Sequence, residues 1–180
     1  TGGANECTPT VNNIRDGVLA TFSSNTIDDA TLDTVAGASI TVDAETAIST
    51  LTITDAVNVT INGEGATADL EALTLDATDT KTLTLTADAG TSLDTGSISG
   101  TDEITTITAT TTKASGTITT GSSGGSGGTI SDADGLTTLN LSATNANLTF
   151  GPLGSNATAG NAELLTSLTA TATGTSVVLT

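Results

Sequence analysis

Tryptophan, tyrosine, methionine, histidine and glutamine are all missing from this chain, and its aromatic residues are two phenylalanines, Phe22 and Phe150. Each absence excludes something. Without histidine, a Ser or Cys nucleophile lacks its usual base, and no His-containing zinc site can form. Without tryptophan and tyrosine, the rings on which sugar sites commonly stack are gone. Lys and Arg number 3 against 20 Asp and Glu, for a formal charge of −17. Arg15, Lys81 and Lys113 are too few and too scattered to replace phosphate counterions, so nucleic acid is excluded as a partner. An anionic membrane surface is disfavoured for the same reason. The single cysteine, Cys7, rules out an internal disulfide framework. No apolar run approaches the length of about 18 residues needed for a membrane span. No basic-then-apolar leader is recognisable, and a start at Thr1 without Met suggests a processed or excised part of something larger.

Threonine takes up the composition that these residues leave, at about a quarter of the chain. It is β-branched and stiff at χ1, and it suits a pleated surface better than a helix. Leu, Ile, Val and Phe together reach only about a fifth of the residues, close to the level at which a highly charged chain stays disordered. Folding therefore depends on how those few aliphatics are placed.

They are placed in a repeat. Ile48-Ser-Thr-Leu51-Thr-Ile53, Leu70-Glu-Ala-Leu73-Thr-Leu75, Ile104-Thr-Thr-Ile107-Thr-Ala109, Leu136-Thr-Thr-Leu139-Asn-Leu141 and Leu165-Thr-Ser-Leu168-Thr-Ala170 share one six-position pattern. A second alternating piece follows each, such as Val59-Thr-Ile61, Leu83-Thr-Leu85 or Leu148-Thr-Phe150. Ile98 precedes Ile104 by the same spacing as Ile130 precedes Leu136, an offset within the range of solenoids and arrays. Other offsets scatter, so the repeat is degenerate. Period-2 alternation puts aliphatics on one face and Thr or Asn on the other. One coil cannot bury its apolar row alone, whereas stacked coils share a dry interior and pair their backbones. The expected fold is all-β, a parallel β-helix or β-solenoid of short Thr-rich strands. A β-sandwich is the alternative, but it would want more hairpin signals than Asn62-Gly63.

Residues 1–30 differ in composition and read as an N-terminal arm, cap or linker, with a run from Val11 to Phe22 that could be helix or strand. Residues 31–180 read as the repetitive solenoid domain. Within it, the Gly/Ser run 121–128 reads as a flexible loop, because the repeat continues in phase across it.

The Leu-Thr-Thr-Leu-Asn-Leu type of repeat, in a chain dominated by Thr, Ala, Gly and Asp, resembles the repetitive surface-layer (S-layer) proteins of Gram-negative bacteria and related RTX-type surface proteins and adhesins. The resemblance covers about residues 38–180. It implies a secreted β-solenoid at the cell surface that binds Ca²⁺ and assembles with copies of itself. The tandem RTX nonapeptide is not present, and Gly124-Gly125-Ser126-Gly127-Gly128 lacks its Asp.

Carboxylates remain as the candidate chemistry. Asp132-Ala-Asp134-Gly135 precedes one repeat, and Asp102-Glu103 occupies the equivalent turn one repeat earlier. Stacked turns would bring these four carboxylates to one edge, as oxygen ligands for Ca²⁺; turn Asp residues also simply bond their own backbone. Asp28-Asp29 and Asp76 to Asp79 are weaker candidates for such a site and read rather as solvated surface charge. The expected function is a non-catalytic structural protein of a cell-surface layer or extracellular assembly, self-associating, calcium-stabilised, with cell-surface polysaccharide as a further partner. The alternative is a filament subunit or adhesin stalk assembled by strand addition. An ice-binding solenoid is a third reading, suggested by Thr82 to Thr86 and Thr105 to Thr112. The irregular repeat offsets argue against the flat face it needs.

Overall fold

In the computed structural model, the described residues are 7–23, 27–64, 68–76, 78–87, 92–111, 117–119, 130, 133, 135–145, 147–149 and 164–174. No helix occurs among them. The strands are β1 (Thr10–Ile14), β2 (Val18–Phe22), β3 (Ile27–Ala44), β4 (Ile48–Gly63), β5 (Ala68–Thr74), β6 (Thr82–Ala87) and β7 (Ser92–Asp94). They continue with β8 (Ser97–Ser99), β9 (Thr106–Thr111), β10 (Thr117–Thr119), β11 (Thr138–Thr144), β12 (Asn147–Thr149) and β13 (Ser167–Thr173).

Every pairing between them is parallel, and the thirteen strands form one continuous sheet that coils on itself. The molecule is an all-β parallel solenoid; parallel pairing throughout removes the sandwich, whose sheets are antiparallel.

Each coil contributes to as many as three ladders. The first runs from β1 through the early half of β3, the early half of β4, β5 and β8, and reaches Ile130 by a bridge to Ile98. The second runs from β2 through the late halves of β3 and β4, then β6, β9, β11 and β13. The third joins the start of β5 to β7, β10 and β12. Within the compositionally distinct N-terminal stretch, β1 and β2 are strands of the first and second ladders, so the sheet begins well before residue 31.

The interior is a single cluster of stacked aliphatic rows. Leu51, Leu73 and Ile98 follow one another in the first ladder, and Val59, Leu83, Ile107 and Leu139 in the second. Leu93 and Leu148 of the third ladder close the core opposite them. Phe22 packs against the edge of this cluster.

The structure divides the six-position motif between two corners. The copies at Ile48 and Leu70 stack in the first ladder, with Ile48 beside Leu70 and Leu51 beside Leu73. The copies at Ile104, Leu136 and Leu165 belong to the second ladder, where Ile107, Leu139 and Leu168 align. Leu73 and Ile107 are therefore not ladder neighbours, although their sequences align. Both places use the same spacing of two aliphatics with two residues between them, and Leu51, Leu73, Ile107 and Leu139 are all buried.

Threonine has a defined task at the second corner. The Thr105 hydroxyl donates to the Lys81 carbonyl at 3.2 Å, Thr137 to the Thr105 carbonyl at 3.0 Å, and Thr166 to the Thr137 carbonyl at 3.2 Å. The same carbonyls also accept backbone N–H bonds, from Thr105 and Thr106, from Thr137 and Thr138, and from Thr166 and Ser167. The first Thr of Leu-Thr-Thr-Leu thus ties each coil to the one before it. One glycine is required by packing: Gly100 has φ +72°, and a Cβ there would lie 1.9 Å from the Leu75 carbonyl oxygen.

Thr111 sits where the inward row carries alanine on both sides, Ala87 and Ala143. Its hydroxyl is buried with no hydrogen-bond partner among the described residues. Such a group costs about 1–3 kcal/mol relative to a satisfied or apolar one. Thr111→Val keeps the shape and is expected to raise the unfolding free energy by about 1 kcal/mol, read from a urea titration. No change or a loss would mean that the hydroxyl is satisfied in solution.

Candidate metal site on the acidic corner

The chain turns from the first ladder to the second at a corner that gathers carboxylates from successive coils. In β3 the first-ladder segment ends at Asp33, which pairs with Thr54 of β4. The next residue of β4, Asp55, has φ +62° and turns the strand without breaking it. Aspartate tolerates this left-handed conformation better than most residues. In the following coil, Asp76 and Asp79 lie in the segment between β5 and β6.

Hydrogen bonds fix part of this group. The Thr54 hydroxyl donates to Asp33 Oδ1 at 2.9 Å. Asp76 Oδ1 accepts from the Thr78 amide at 2.9 Å and the Thr78 hydroxyl at 2.7 Å, closing a local Asx turn. Its other oxygen lies 3.5 Å from the Asp55 amide, at the limit of a hydrogen bond. The Thr80 hydroxyl is buried beneath and donates to the Ala56 carbonyl at 3.0 Å.

One carboxylate oxygen from each of Asp55, Asp76 and Asp79 falls within 4.8 Å of the others. All three side chains are partly buried. Burial, followed by the charges of Asp33, Asp76 and Asp79, raises the Asp55 carboxyl above its ordinary value of 3.8. The hydrogen bonds from Thr78 hold Asp76 below that value. One carboxylate of the trio is thus well stabilised as an anion, and another is held among like charges. The donor set fits a hard divalent cation such as Ca²⁺, which takes carboxylate oxygens and completes its shell with carbonyls and water.

The turn of Asp102-Glu103 has Gly135 of the next coil stacked on it. The Ile104 amide donates to the Thr101 carbonyl at 3.1 Å, and the Leu136 amide to the Ala133 carbonyl at 3.2 Å. Gly135 rests directly on the earlier turn, since a Cβ there would come within 2.9 Å of the Asp102 carbonyl oxygen. Asp102 and Glu103 are exposed. Glu103 pairs with Lys81 at 2.7 Å, and that bond and charge lower its carboxyl below the usual value. Asp132 and Asp134 lie outside the described residues.

Among the described residues, Asp55, Asp76 and Asp79 are the group of three that places one carboxylate oxygen each within 4.8 Å of the others. Asp76 to Asp79, a weaker candidate on sequence, is joined here by Asp55, which lies a full coil away in the chain. A signal was present: an Asp follows the first-ladder aliphatics in three successive coils, at Leu32-Asp33, Ile53-Thr-Asp55 and Leu75-Asp76.

The fold and this corner define the class, a parallel β-solenoid with an acidic corner. Compared with protein-family models, curated proteins and solved structures, the chain matches none of them.

Proposed function

We propose that this chain is a non-catalytic structural protein of a cell-surface layer or extracellular assembly, self-associating and stabilised by Ca²⁺. The observation that supports this reading most is the acidic corner on a continuous solenoid. A rigid rod of stacked coils carries carboxylates from successive coils at one edge, where divalent cations reduce its self-repulsion. The chemistry of the side chains agrees. The chain has no histidine, and of its three cations Lys81 is engaged by Glu103. The proposed location is extracellular.

Electron microscopy of the purified protein in Ca²⁺ and in excess chelator tests the reading. Planar arrays in Ca²⁺ that disperse in chelator are expected. Fibres would favour the filament or adhesin stalk, and dispersed monomers at high concentration in both conditions would refute assembly.

A further inference from the structure

The outer face of the second ladder is more regular than the chain that builds it. The sequence separation between neighbouring coils along this ladder is 19 residues at Ser39 and Asn58, 24 at Asn58 and Thr82, and 32 at Thr105 and Thr137. None of that variation enters the strands from β4 onward. From Asn58 to Gly63, β4 pairs residue for residue with β6, and β6 pairs likewise with β9, β9 with β11, and β11 with β13. The extra residues enter between strands. The irregular offsets that argued against a flat face are therefore irrelevant to this one.

The face has a simple chemistry. Outward positions of β6 and β9 are Thr82, Thr84, Thr86, Thr106, Thr108 and Thr110. Across β4, β11 and β13 the aligned outward positions are again only Thr, Ser or Asn. From β4 to β13 the grid carries no charge, although the chain as a whole carries −17; Asp43 of β3 marks its edge, where Oδ1 accepts from Asn62 Nδ2 at 2.8 Å. The described strands that approach this ladder from elsewhere supply Leu93 and Leu148 to the core, on its other side. Thr82 and Thr86 donate to the side-chain oxygens of Asn58 and Asn62, which ties the flanking columns of the grid together.

We propose that this face binds a crystalline water surface. Strand spacing sets hydroxyls about 4.8 Å apart across the ladder and about 6.6 Å apart along each strand. Threonine holds its hydroxyl and methyl in few rotamers, so little freedom is lost on binding. The hydroxyls hold first-layer waters at sheet spacing, and the methyls leave those waters few other partners. An uncharged grid suits this neutral lattice, because charged groups would impose their own hydration. An uncharged polysaccharide crystal is the competing partner, but the chain has no Trp or Tyr to stack on sugar rings.

Partition into slowly growing ice, together with thermal hysteresis, tests the proposal on the whole chain. The wild type is expected to enter the ice and depress its growth temperature. Thr108→Lys and Thr84→Lys, each at the centre of the grid, are expected to lose both effects. Thr52→Lys, outward on the first ladder between Thr31 and Thr74, is expected to keep them. Circular dichroism melts establish that each variant is folded. Exclusion of the wild type from ice would overturn the proposal. So would equal loss in Thr52→Lys, or binding to insoluble chitin or cellulose without binding to ice.

Discussion

Leu73→Ala is expected to lower the unfolding free energy by about 2–5 kcal/mol, the range found when a buried leucine is cut back and its site only partly collapses. Leu73 is fully buried, stacked between Leu51 and Ile98. Truncation removes contacts to both neighbouring coils at once, and the rigid ladder leaves the backbone little scope to close the gap. Leu168→Ala provides the comparison. It occupies the same position of the same six-residue motif, yet its side chain is 62% exposed on β13, which among the described residues pairs with β11 alone. Its truncation is expected to cost under about 0.5 kcal/mol, as for most surface substitutions. Guanidinium titrations of the two variants check this. Equal costs would mean that the aliphatic rows do not share one interior in the way described.

Asp55→Asn is expected to change the sign of its effect with Ca²⁺. In chelator the variant is more stable than the wild type at neutral pH. The Asp55 carboxyl is raised above 3.8 in the folded chain by burial and by Asp33, Asp76 and Asp79, so its ionisation opposes folding. The sign of the pH dependence follows. A raised group favours the folded state below its unfolded value, and that contribution is lost as pH rises through the folded value. The advantage of Asp55→Asn is therefore full above the raised value, shrinks as pH falls, and vanishes below 3.8. Asparagine accepts the left-handed backbone at this position, so the substitution tests charge and not strain.

In saturating Ca²⁺ the order reverses. A cation bound only to the folded state stabilises it by about 2.7 kcal/mol at a concentration 100 times its dissociation constant. Asp55→Asn, lacking one of the three carboxylates, forfeits most of that increment. Asp102→Asn, in the turn beside Glu103, should leave it intact. Thermal melts of the three proteins in Ca²⁺ and in chelator supply the measurement. A wild type that melts at the same temperature in both would remove Ca²⁺ from this corner.

By itself, the sequence determined the kind of fold and the kinds of chemistry available. Alternation of Thr with Leu, Ile and Val dictates strands with one dry face, and the recurring motif dictates coils that stack, because a lone coil has nothing against which to bury its aliphatics. The equal spacing of Ile98 and Ile130 before their motifs even fixed one ladder contact. Which copies would meet was left to the tertiary structure. Leu-Glu-Ala-Leu at residues 70–73 and Ile-Thr-Thr-Ile at 104–107 satisfy the same local rule, and only the closing of the coil sends them to different corners. The same holds for the site. Asp55 and Asp76 are separated by 21 residues; the recurrence of Asp after the first-ladder aliphatics hints at their kinship, but they become neighbours only because one coil lies on the next. Local hydrophobic periodicity sets what each segment can do, while the number of residues between corners, unconstrained by that periodicity, sets whom it touches.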